Sequence, residues 1–153
     1  MAQKSINTAG GDGTAIPTGF VGKKLETTIS TYRNYPATTT WEDAGGNGNG
    51  LTLGIGTWSM TMQVEATLNS ASAPTSSYNV GISTTTGNSA AGLTSGNNRI
   101  DHAAPTSINN TSATIAQYVV DVASPTAYYG KVRAVFSSGN PQYVFRLTAV
   151  QIS

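Results

Sequence analysis

Residues 58–69 read Trp58-Ser59-Met60-Thr61-Met62-Gln63-Val64-Glu65-Ala66-Thr67-Leu68-Asn69. Trp58, Met60, Met62, Val64, Ala66 and Leu68 fall on one side, and every residue between them is polar. Alternation at 180° per residue, sustained this long, describes a strand with one buried face and one wet face. Such strands belong to antiparallel sheets, because parallel sheets are covered on both sides and read as continuous apolar runs.

The same reading extends in both directions. Upstream, Leu51 and Leu53 make a short strand before a turn at Gly54-Ile55-Gly56, and Thr38 to Trp41 is another short candidate. Residues 42–50 hold four glycines and predict a loop. Leu25, Thr27, Ile29 and Thr31 alternate with Glu26, Thr28, Ser30 and Tyr32, which predicts a further strand. Downstream, Tyr78, Val80, Ile82 and Thr84 share a face. Residues 86–111 form a long polar stretch, with a short strand near Arg99–His102. Loops of this length in compact domains are usually functional. Ala116, Tyr118, Val120 and Val122 then share a face, as do Tyr128, Val132, Ala134 and Phe136. In the closing segment Tyr143, Phe145, Leu147 and Ala149 face one way, while Val144, Val150 and Ile152 face the other. A strand apolar on both sides is covered twice, by its own core and by something else. The short turn Ser138-Gly139-Asn140-Pro141 predicts that this strand pairs antiparallel with 127–136.

Composition points the same way. Of 153 residues, 23 are Thr, 17 Gly, 16 Ser and 12 Asn, which favours strands and turns and leaves few helix formers. The expected fold is all-β: an antiparallel two-sheet sandwich of jelly-roll type over residues 25–153, preceded by an extended N-terminal arm over 1–24. An up-and-down barrel is the lesser alternative. The arm is poor in large apolar side chains, so Ile16, Pro17 and Phe20 stand out as anchors should it dock on another chain.

Several kinds of chemistry are disfavoured. Eight Lys+Arg against seven Asp+Glu, with no basic cluster, argue against nucleic acid as a partner. No stretch approaches the roughly 20 apolar residues of a membrane helix, and the N-terminus lacks the apolar core of a secretory signal. There is no cysteine, which removes thiol catalysis and disulfides. The single histidine, His102, sits beside Asp101 in a polar stretch with no nucleophile-elbow motif in the chain. Glu42 and Asp43 are neighbours, so on a strand they would point to opposite faces and could not act as a glycosidase pair. Glu65 and Asp121 sit on wet faces without an evident partner. Asp43, Asn47 and Asn49 superficially suggest a calcium loop, but their spacing departs from the EF-hand pattern. Neither an enzymatic activity nor a cofactor or metal is expected. Tyr128, Tyr129, Phe136, Tyr143 and Phe145 gather in the last two strands. They read either as a core cluster or as an aromatic interface between three copies.

Three stretches resemble one family. Gly13 to Gly22, with its Pro17-Thr18-Gly19-Phe20-Val21-Gly22 core, resembles a leading peptide; Ile82 to Asn88 resembles a middle strand and turn; Thr126 to Phe136 with the terminal strand resembles a closing segment. Together they resemble the small jelly-roll domains of tailed-bacteriophage virions, on fibre tips and capsid surfaces, which are similar to tumour-necrosis-factor-like trimers. The last strand departs from the family's frequent basic ending, since it closes on Val150-Gln151-Ile152-Ser153. The resemblance implies a homotrimer with its C-terminal strand near the axis. The expected function is then a virion structural protein on the outer capsid surface, as a decoration (cement) or head-fibre protein docking on the major capsid protein through its arm. The alternative is a tail-fibre tip that reads a host surface glycan through the loops at 42–50 and 86–111.

Overall fold

A computed structural model describes residues 22–35, 39–46, 49–68, 77–103, 111–136 and 141–153. The strands are β1 (Lys24–Asn34), β2 (Glu42–Asp43), β3 (Gly50–Leu53), β4 (Gly56–Leu68), β5 (Ser77–Ser83), β6 (Arg99–Ala103), β7 (Thr111–Val122), β8 (Thr126–Val135) and β9 (Pro141–Gln151). They form two antiparallel sheets. Sheet A runs β1-β9-β4-β7; sheet B runs β2-β8-β5-β6, with β3 also paired to β8. The chain is an all-β sandwich.

The pairings nest. β1 pairs with β9, β2 and β3 with β8, β4 with β7, and β5 with β6. A chain folded once along its length and then rolled up gives this order, which is compatible with a jelly roll. It corrects the closing hairpin expected from the sequence. β8 and β9 do not pair; they lie in opposite sheets, β8 against β5 and β9 between β1 and β4. Both strands bury one face in the same core, and the alternation of apolar residues is the same from either side of it.

The expected long strand is β4. Trp58, Met60, Met62 and Val64 are buried inward, and Ser59, Thr61, Gln63 and Glu65 face out. Opposite them sit Val80 and Ile82 of β5 and Val132 and Ala134 of β8. Gly130 also faces the interior. A Cβ there would lie 3.1 Å from Met62 Cε, so the glycine makes room for that thioether between the sheets. β7 carries a bulge where β4 passes from Met60 to Met62, and the bulge brings Ile115 inward although Val120 and Val122 are even-numbered.

Three boundaries differ from the sequence reading. The strand expected at 38–41 lies instead at Glu42–Asp43, so the 42–50 segment begins as sheet and turns only at Ala44–Gly46. Thr31 does not continue the inward face of β1, because Ser30, Thr31 and Tyr32 leave the ladder there. The sandwich already includes Gly22 to Lys24: the Gly22 N–H donates to Gln151 O at 2.9 Å, and the Gln151 N–H donates to Lys23 O at 3.2 Å.

Candidate functional site

The aromatic residues singled out in the sequence do not share a surface. Tyr143 and Phe145 lie inside the protomer at 0% and 3% exposure, which fits the core reading of that cluster. Phe136 packs partly against the same core. Tyr129 is half-buried on the outer side of sheet B, against Gly50. Ile16, Pro17 and Phe20 lie outside the described residues. The sequence reading missed Tyr35, whose ring sits 4.7 Å from Tyr143 and 5.6 Å from Tyr78. These three tyrosines close one end of the core, and burial holds the Tyr35 hydroxyl well above its usual range. The Tyr143 hydroxyl accepts from the Gly45 N–H at 2.9 Å and donates to Glu42 Oε1 at 3.0 Å, bridging the two sheets. Burial pushes the Glu42 carboxyl above its ordinary range, and the tyrosine hydroxyl only partly opposes this.

The polar loops have structural employment. Asp43 and Lys131 stand opposite each other on β2 and β8, and both side chains are wholly buried. The Lys131 ammonium donates to Asp43 Oδ1 and, at 2.7 Å, to Gly87 O. Thr86 Oγ1 and the Gly87 N–H donate to Asp43 Oδ2 at 2.7 and 2.8 Å. All three donors on this carboxylate come from the chain's own groups. The pair fastens the 84–98 segment over the outer face of sheet B. Leu93 lies against Gly81, where a Cβ would come within 2.6 Å of it. Asn98 ties the same segment to Ile82 O and Gly92 O. Asp101 is engaged by Arg99 and Asn79, which hold its carboxyl below the usual range.

Among the described residues sheet A keeps an open outer face, ordered in rows by its register. Lys24, Val150, Ser59 and Val119 form one row across its four strands. Val119 is 49% exposed, and Ile152, next along the chain beyond β9, is 45% exposed. The N-terminal segment joins the sandwich beside this apolar end, at Gly22. Four residues further along β9, about 13 Å at strand rise, the row Thr28, Arg146 and Gln63 begins a groove. There β1 places three residues, Ser30, Thr31 and Tyr32, opposite the single Val144 of β9. The excess carries Tyr32 outward, and its hydroxyl donates to Glu65 Oε1 at 2.8 Å. The resulting groove has a volume of about 480 Å3 and is lined by Thr28, Ser30, Gln63, Glu65, Val144 and Arg146, with Ile29, Val64 and Phe145 beneath. Glu65, which has no visible partner in sequence, is thus held by a tyrosine; Asp121 likewise accepts from Thr57 Oγ1 at 2.8 Å.

No family model matches the chain, and no curated protein matches it.

Proposed function

We propose that the chain is a structural protein of a tailed-bacteriophage virion, a trimeric decoration or head-fibre protein on the outer capsid surface. In this reading the sandwich is a jelly roll whose strands nest first with last. The observation that carries the assembly is the apolar end of sheet A. The sequence marks β9 as apolar on both sides. Its inward side, Tyr143 to Ala149, is covered by the protomer's own core. Its outward side ends in Val150 and Ile152 at the root of the N-terminal arm, with the exposed Val119 in the same row two strands away, across Ser59. Self-association through this end, rather than through Tyr143 and Phe145, gives the second covering. The arm leaves from the same end, so its anchors Ile16, Pro17 and Phe20 would reach neighbouring capsid subunits from the base of the trimer. A closed threefold ring uses one patch set repeatedly and leaves no open growth.

The test has two parts. Light scattering of the full chain should return three subunits, and Val119→Asp with Ile152→Asp should return one. A single-subunit mass for the unaltered chain removes the trimer. Removing residues 1–21 should abolish binding to capsid shells that lack this protein while leaving the sandwich folded. Unchanged binding removes the docking role of the arm.

A further inference from the structure

The groove on sheet A has the chemistry of a sugar site. Its wall presents hydroxyls from Thr28 and Ser30, the Gln63 amide, the Glu65 carboxylate and the Arg146 guanidinium. Tyr32, 40% exposed, is tethered to the rim through Glu65. The volume of about 480 Å3 lies within the roughly 300–1,000 Å3 of small-molecule sites. Each polar class matches part of a polyol. A carboxylate accepts from two adjacent hydroxyls, and a guanidinium donates to two.

Alternative ligands fit less well. With one guanidinium and one carboxylate in its lining, the groove carries no net charge to hold a phosphate or a polyanion. Ionised and amide groups around the wall would leave a lipid chain facing unpaired polar atoms, which is costly. The groove also sits on rigid strands, so its groups are already placed before a ligand arrives. We propose that this groove binds a short segment of a neutral saccharide, with Glu65 and Arg146 as the principal hydrogen-bonding groups. The site is distinct from the 42–50 and 86–111 segments that the sequence suggested for glycan recognition, since those described parts are tied down on sheet B. It is independent of the assembly proposed above and lies away from the apolar end.

Amide-resolved NMR titration of the full chain tests it, with maltotriose, cellotriose and triacetylchitotriose as neutral probes and sialyllactose as the anionic comparison. At least one neutral probe should shift signals of Thr28–Ser30, Gln63–Glu65 and Val144–Arg146, with a dissociation constant on the order of 1 mM. Glu65→Gln and Arg146→Met should each weaken that binding about tenfold, the loss of one hydrogen bond to a charged group. Lys24→Ala, on the same face but outside the groove, should leave it unchanged. Both groove substitutions lie on the solvent side, and retained signal dispersion shows that they fold. The proposal is overturned by silence in the groove with all three neutral probes at ~10 mM. It is also overturned by shifts centred elsewhere, or by a stronger response to sialyllactose. A trimer that ignores sugars would remove this inference and leave the assembly standing.

Discussion

Replacing Lys131 by Met separates the contribution of the buried ion pair from that of ordinary packing. Methionine keeps most of the aliphatic stem that runs through the wholly buried site. It removes one of the three donors on Asp43, leaving Thr86 Oγ1 and the Gly87 N–H, and it frees Gly87 O. A buried charge stripped of its partner costs about 3–5 kcal/mol. The two surviving hydrogen bonds place this substitution near the lower end, at about 3 kcal/mol. Asp43→Ala should cost more, because it strands the ammonium, the threonine hydroxyl and the glycine N–H together. In urea, with a slope of about 2 kcal/mol/M, the midpoint should fall by about 1.5 M for Lys131→Met. It should fall further for Asp43→Ala. The double substitution should cost less than the sum of the two, since partners in contact are not additive. Salt should change none of these differences much, as a buried pair is poorly screened. Measurements need a fixed protein concentration, because self-association adds to apparent stability. A Lys131→Met midpoint within ~0.3 M of the unaltered chain, or an Asp43→Ala protein the more stable of the two, would refute the reasoning.

Further predictions concern the same frame. Tyr143→Phe leaves the buried Gly45 N–H without its acceptor and should cost about 1–3 kcal/mol by denaturant titration, with the sheets still packed. Gly50→Ala drives a Cβ to 2.8 Å from Tyr128 O, a backbone atom that cannot yield easily, so a lowered melting temperature is expected. Gly81→Ala meets the tip of Leu93 at 2.6 Å, with Asn98 O further off at 3.4 Å, and should chiefly loosen the 84–98 segment, read as faster proteolytic nicking there. For Glu42, burial raises the folded-state pKa above the unfolded one. The folded protein therefore holds this proton more tightly, and the stabilisation it brings is complete below the unfolded pKa and lost as pH rises through the folded value. Glu42→Gln, whose amide oxygen can still accept from Tyr143, should accordingly be at least as stable as the unaltered chain at neutral pH and less so in relative terms in acid. Asp101 has the opposite sign: its lowered pKa gives stability above the unfolded value that disappears as pH falls, so Asp101→Asn should flatten the acid limb of the stability profile.

Alternation made most strands legible. β3, β4, β5 and the outline of β9 follow from residues two apart, and even the short β6 lies where Arg99–His102 suggested it. Partnership was not legible, because period-two patterning says which side of a strand is buried and nothing about which sheet supplies the cover. Ser138-Gly139-Asn140-Pro141 reads as a hairpin turn for that reason. The buried pair was hidden more deeply. On β8, Lys131 alternates with the inward Gly130 and Val132 and so belongs to the side that faces out. Only the return of residues 84–98 over sheet B turns that outer side into an interior. In a chain with so few charges, a lysine between a glycine and a valine on an aromatic strand was the available signal.

The two faces of β9 carry this lesson into function. From sequence, Tyr143 and Phe145 and the opposed Val144, Val150 and Ile152 were equally eligible for contact with another copy. In the sandwich the larger aromatic set fills the space between the sheets, and the smaller aliphatic set lies on the outer side of β9. That outer set is itself divided. Val150 and Ile152 lie at the root of the N-terminal segment, whereas Val144 lies in the groove opened by the three-residue excess of β1. Nothing in the alternation of β1 signals that excess, since Ser30, Thr31 and Tyr32 keep the rhythm of a regular strand. Its consequence is a polar recess about 13 Å along the sheet from an apolar end. The proposed assembly and the proposed saccharide site would thus occupy different ends of one surface.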